Sequence, residues 1–503
     1  MRKNAKYSGL LALLMVLGLL LSACGNASQT TTNDKKEAVA TEDGPYTIGQ
    51  GRVVPSVDPI DNAWQLTAHG VSEYVYMQNE EGELTSRFVD TLEATDPLTW
   101  KATLKEAQFS NGDPVDAKAI ADAMNEIQEK NPLARATAGK MVFTPEGEKN
   151  LTIVTERPVK NMAAVLCEWT NVVFKRSGDD VIYTGPYMVK NLNPEHEIAM
   201  TPNPHYPDAE KRHDVTVRAF QDEASMKAAF DAGQLDMMFP ITPDLKGQVE
   251  KEGKKTQTID AGYQYFLMTN LQKGPMADPA FREALDLGLN REDYVKALKG
   301  GSVPTGVFAH YYPFAGDVKL TYDKEKAEQL LDRLGYVKGQ DGMRTKDGKP
   351  LTLSVATLSF RKDLVILGQV LASQLKELGI EAQVDALDNA ENVDANSGYD
   401  LLFYSQHTAP TGEPSYFLSQ FFRTGEAKNK FGYASAEMDK ILDEFGTSDD
   451  ANAVAKKAQD LIAKDRPVLL VIDPQWHAAV SDRLSDYKPY CGDYYVVNAN
   501  LGL

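Results

Sequence analysis

An α/β fold is predicted for residues 45 to 503, and three observations predict it. Short apolar or β-branched runs alternate with segments of helical hydrophobic spacing along the whole stretch. Glycines stand where helical segments must stop, at Gly233, Gly335 and Gly379. A body of roughly 460 residues also exceeds what one hydrophobic core organises, so two or three lobes are expected.

The elements follow in order. Tyr46 to Val54 is predicted as a strand, and Trp64 to Met77 as a helix through Leu66, Val71, Tyr74 and Met77. Trp100 to Leu104 alternates as a short strand. Asp113-Pro114-Val115-Asp116 then opens a helix, with acids at its positive dipole end and Ala119, Ala123 and Ile127 as its core face. Leu151 to Thr155 alternates again. Met226 to Ala232 is a short helix stopped by Gly233, followed by the strand Leu235 to Phe239. Pro279 to Leu298 is an amphipathic helix or helix pair, and Lys324 to Leu334 is another helix. Leu351 to Ala356, Ile380 to Val384, Asp400 to Tyr404 and Val468 to Ile472 are strands. Leu364 to Leu378, Ala434 to Phe445 and Ala451 to Lys464 are helices among them.

The first residues predict an address. Arg2, Lys3 and Lys6 precede an apolar run, Leu10 to Leu21, too short for a stable membrane span. Leu21-Ser22-Ala23-Cys24 resembles the lipobox of bacterial lipoproteins, which implies cleavage before Cys24 and a lipid on its sulfur. Residues 1 to 23 are therefore read as a signal peptide. Residues 24 to 44, polar and without hydrophobic period, read as a flexible lipid-anchored linker on the outer face of the cell membrane.

A formal charge of −19 with no basic run argues against nucleic acid. Beyond Cys24 only Cys167 and Cys491 remain, far apart in the chain. Two separate buried thiols are expected rather than a bridge, and no Cys/His cluster suggests a structural zinc site. No GxSxG, HExxH, P-loop or GxGxxG pattern is present, and none of the seven histidines pairs with another at i+3 or i+4. Nothing here supports catalysis, so no enzyme and no intrinsic cofactor are expected.

Six ordered segments carry a resemblance. They are Phe109-Ser110-Asn111-Gly112-Asp113-Pro114-Val115-Asp116-Ala117; Tyr183-Thr184-Gly185-Pro186-Tyr187 with Asn203-Pro204-His205-Tyr206; and Ala228 to Asp236. Phe281-Arg282-Glu283-Ala284-Leu285 with Asn290-Arg291-Glu292, Tyr322-Asp323 to Tyr336, and Asp341-Gly342 with Asp347-Gly348-Lys349-Pro350-Leu351 complete the set. Together they resemble the extracytoplasmic solute-binding proteins of ABC importers, peptide/nickel family 5. The resemblance implies a two-lobe periplasmic-binding-protein-like fold (type II, large cluster C) with an extra α/β domain on lobe I. Lobe I would comprise residues 45–77, 181–263 and 475–503, the extra domain 78–180, and lobe II 264–474. The implied partners are permease and ATPase subunits, a small solute, and the membrane through Cys24, with the protein itself a monomer.

The ligand is read from departures. Peptide-binding members carry an aspartate in a D-x-x-[DE]-P loop that pairs with the α-amine; here Pro410 stands in its place, four residues before Pro414. The loop Gln406 to Pro414 is more similar to the nickel branch, with His407 near that branch's aromatic position. The resemblance implies a nickel or other transition-metal chelate, held by arginines and aromatics. Candidate ligand-binding residues are Arg135, Trp169, Trp64, Tyr404, Arg423 and Tyr416, with His407 as candidate metal ligand. The branch's second arginine would fall near Glu168-Trp169, where no arginine stands. Oligopeptides are the alternative ligand, and an anchored hydrolase or adhesin the remote alternative.

Overall fold

The computed structural model describes residues 44–390 and 392–503; the leader, the linker and Cys24 lie outside the described residues. Tyr46–Gln50 is almost wholly buried because it runs through the middle of a seven-stranded sheet, parallel to Val215–Ala219 and Met237–Ile241. In order that sheet contains Tyr187–Asn193, Glu197–Pro202, Val215–Ala219, Tyr46–Gln50, Met237–Ile241, Trp476–Val480 and Lys255–Ile259. A second, five-stranded sheet runs Glu381–Leu387, Thr352–Leu358, Leu401–His407, Tyr263–Thr269, Val468–Ile472. The chain passes from one sheet to the other between Ile259 and Tyr263, and back between Ile472 and Trp476. Strands buried on both faces read as unbroken apolar runs, which is why Val468–Ile472 stood out in sequence.

A four-stranded antiparallel sheet, Val89–Asp96, Thr99–Leu104, Asn150–Thr155 and Met141–Glu146, carries the helix Ala117–Lys130. Asp116 caps that helix, its carboxylate accepting from the Ala119 N–H at 2.8 Å. The buried face is Ile120, Met124 and Ile127 with Ala117 and Ala123; Ala119 is only half-buried.

One sequence expectation shifts. The helix expected over Trp64 to Met77 is Pro59–Ala68, started by Asp58, whose carboxylate accepts from the Ile60 N–H at 2.8 Å. Val71 and Tyr74 are buried from an irregular segment, because the chain turns at His69 and passes under the C-terminal residues. There the Val497 N–H donates to the Ala68 carbonyl at 2.8 Å. Tertiary burial of the side chains, not helical period, placed those apolar residues. Pro279 to Leu298 resolves into two helices, Pro279–Gly288 and Arg291–Leu298. Among the described residues no helix is long and apolar enough to cross a membrane.

Candidate functional site

In open sheets with parallel strands, binding groups gather at the strands' carboxyl ends. Arg52 follows the end of Tyr46–Gln50, Phe360 and Arg361 follow Thr352–Leu358, and His407 closes Leu401–His407. The fold turns these ends toward one another. The Arg52 guanidinium lies 5.1 Å from the Trp64 ring centroid and 5.0 Å from that of Phe360, an aromatic from each sheet's side. It makes no ion pair of its own among the described residues.

Arg361 is committed. Its Nη2 donates to Asp363 at 2.7 Å and to the Tyr265 hydroxyl at 2.7 Å, and its Nη1 to Ser405 at 2.6 Å. Burial alone would raise the Asp363 carboxyl, but the adjacent guanidinium outweighs it and holds the group below its ordinary range. Trp476 stacks on Tyr263 at 4.4 Å and donates its indole N–H to Tyr265 at 3.1 Å, tying the crossing segments together. Tyr263 donates to Asp493 at 2.6 Å, and burial lifts that carboxyl above its usual range.

Tyr494 is the hub. Its ring lies 6.0 Å from Trp64 and 5.2 Å from His407, and it is close enough to Tyr74, Tyr404 and Tyr416 for their phenols to influence one another. So Trp64, Tyr404, Tyr416 and His407, chosen from sequence, are brought around one aromatic that sequence reasoning missed. Tyr404 is half-buried, with the Lys428 ammonium 5.8 Å over its ring. The buried Tyr416 hydroxyl accepts from Gln420 at 2.8 Å. Trp169 packs half-buried against the main core.

His407 is fully enclosed. Its Nδ1 accepts from the Ala409 N–H at 3.2 Å, and its Nε2 lies 3.3 Å from the Cys491 thiol. Burial pushes its pKa down to about 3, so the ring is neutral. Both nitrogens thus have partners within the protein. Cys491 and Cys167 are both free thiols, and burial pushes Cys167 up to about 12. Among the described residues no group of three or more His, Cys, Asp or Glu side chains could hold a metal ion.

The two arginines chosen from sequence point elsewhere. Arg135 turns back on the helix before it, its Nε donating to the Gln128 carbonyl at 2.8 Å and its Nη2 to that of Glu129 at 3.2 Å. Orphan carbonyls at a helix C-terminus attract such a cation. Arg423 pairs with Asp443 at 2.8 Å and lines a cavity of about 770 Å³ between the segments 137–165 and 413–451. Arg52, Phe360 and Tyr494 are the residues sequence reasoning missed. The strand-end rule would have pointed to the first two.

Comparison with known proteins agrees with this geometry. Residues 85–429 match the family model described as bacterial extracellular solute-binding proteins, family 5 Middle. The nickel-binding protein NikA of Staphylococcus aureus is 23% identical over 443 residues, 85% of this chain and 88% of that protein. The oligopeptide-binding protein AppA of Bacillus subtilis is 22% identical over 97% of both chains. The structure of S. aureus NikA in complex with Ni(L-His)2 superposes with a TM-score of 0.81 at 20% identity, covering 90% of this chain and 98% of that one. B. subtilis AppA in complex with a nonapeptide gives 0.75 at 18% identity, with 90% and 97% covered. The seven- and five-stranded sheets are accordingly the cores of a two-lobe fold. This chain belongs to the bacterial extracellular solute-binding proteins of family 5.

Proposed function

We propose that the protein is the membrane-tethered binding subunit of an ABC importer, and that it captures a nickel or related transition-metal chelate between its lobes. One observation carries the reading. Arg52, which makes no hydrogen bond or ion pair among the described residues though its charge reaches the Asp493 carboxyl, presents its guanidinium between Trp64 and Phe360, where strand ends of both sheets converge. A planar fork between aromatic faces suits a chelator's carboxylate, which it grips bidentately. The relatives named for nickel support the same class.

In this reading the chelator supplies the metal's ligands, and His407, with both nitrogens engaged, supports the loop after Leu401–His407. A solute that touches Arg52 on one side and Phe360 on the other favours the closed state over the open one. The closed form is then what permease subunits accept, with ATP hydrolysis left to another subunit. Cys24 would carry the lipid, and the protein would act as a monomer.

The test is native mass spectrometry with metal analysis on protein purified from its own cell envelope. A single small metal-bearing solute is expected. A heterogeneous set of peptides without metal would replace this reading with that of an oligopeptide carrier, as AppA is named. Loss of membrane association in Cys24→Ala, with release into the medium, checks the anchor.

A further inference from the structure

One buried carboxyl has no counter-charge. Glu168 is 1% exposed, and among the described residues neither of its carboxyl oxygens makes a well-aligned hydrogen bond, the Thr137 hydroxyl being the polar group that acts on it. Its backbone is fixed: the Glu168 N–H donates to the Val165 carbonyl at 3.1 Å, and its carbonyl accepts from the Asn171 N–H at 2.9 Å. The side chain faces the Thr137 hydroxyl, itself buried and unsatisfied, with the Tyr416 phenol and the Glu426 carboxylate nearby. Among the described residues no cation pairs with Glu168: Arg157 goes to Glu426 at 3.2 Å, Arg135 to helix carbonyls, and Arg423 to Asp443 at 2.8 Å through Nη1, its buried Nε left without a partner. Thr137 and Val165, which flank Glu168, also line the 770 Å³ cavity, whose walls include Ser415 and Ser419 of the opposing lobe.

Buried carboxylates are otherwise paired, because desolvation without a counter-charge strongly disfavours them. Burial and the charge of Glu426 raise the Glu168 carboxyl well above its usual range. Thr137 and Glu168 come from one stretch of chain, Tyr416 and Glu426 from another far away in sequence, and no cation among the described residues pairs with the carboxyl between them.

We propose that Glu168 is the counter-charge for an ammonium group of the captured solute, so that closure selects solutes bearing a protonated amine. The proposal rests on the solute-binding reading above but not on the solute's carrying metal. With Arg52 available to a carboxylate, it specifies an amphoteric solute, amino-acid-like in its charged ends.

The test uses the low-molecular-mass fraction of spent growth medium, before and after treatment with acetic anhydride, which turns each ammonium into a neutral amide. Thermal midpoint and radius of gyration are read for the wild type, Glu168→Gln and Glu168→Asp. Acetylation is expected to weaken the wild-type response at least about tenfold. Glu168→Gln should respond weakly, and equally to both fractions, while Glu168→Asp keeps the discrimination. If Glu168→Gln responds to the untreated fraction as the wild type does, or discriminates as strongly, the inference is overturned. Passing the fraction over a chelating resin separates the two readings. Discrimination that survives metal removal sustains the amine site and removes the metal. A response lost on metal removal, with no difference between wild type and Glu168→Gln on acetylation, does the reverse. A fraction that moves neither protein overturns both.

Discussion

Gly262 enters the strand Tyr263–Thr269 at the crossing between the sheets, and replacing it with alanine probes how tightly His407 is held. Its φ is +69°, a conformation that disfavours an L side chain by about 1–2 kcal/mol. A Cβ there would run into His407 Cε1 and stand 2.5 Å from its Nε2 and 2.7 Å from the Tyr312 hydroxyl. These are far inside van der Waals contact, and such overpacking adds about 1–3 kcal/mol. The neighbours cannot swing aside: His407 is held by Ala409 and Cys491, and the Gly262 carbonyl accepts from the Thr408 N–H at 2.9 Å. Gly262→Ala should therefore destabilise by about 2–5 kcal/mol. Gly253 is the control, with φ +78° and nothing within 4 Å of the place a Cβ would occupy, so Gly253→Ala should lose only the backbone part, about 1–2 kcal/mol. Urea midpoints followed by tryptophan fluorescence measure both. Equal losses in the two variants would refute the claim that His407 is locked against the crossing.

Three further outcomes are expected. Arg52→Ala should weaken capture of a nickel–histidine probe by about 10- to 150-fold, the worth of a charge-assisted hydrogen bond, and Arg52→Lys should recover only part of it; calorimetry in which Arg52→Ala matches the wild type would remove Arg52 from the site. His407 titrates near 3 when folded and about 6.5 when unfolded, so its contribution is complete above about pH 6.5 and is lost on acidification toward pH 3, at up to roughly 1.4 kcal/mol per unit. His407→Gln should lack that slope, and parallel stability–pH curves for the two proteins would contradict a buried neutral ring. Burial raises both the Cys167 and Cys491 thiols, so in protein lacking Cys24 a disulfide reagent at pH 8 should label neither until denaturant is added; rapid labelling of the native protein would show that Cys491 is reachable.

What the chain wrote locally was legible from it. Helix stops at Gly233, Gly335 and Gly379, the Asp116 cap and the buried run Val468–Ile472 depend on neighbours within a few residues, so period and punctuation located them. The six ordered boxes carried the family for the same reason, since each is a local turn or helix start. Spacing failed where packing chose the conformation: Val71 and Tyr74 have helical spacing but are buried from an irregular turn under the C-terminus. The site was the least legible part. Arg52, Phe360 and Tyr494 share no local pattern, because sheet order and the crossings at 259–263 and 472–476 bring them around Trp64. Arg135 was a candidate from sequence, yet the carbonyls at the end of its own preceding helix claimed it. Sequence by itself determined the elements and the family. Which groups stay without an ion-pair partner, Arg52 and Glu168 among them, only the tertiary structure decided, because a side chain's partners depend on everything folded around it.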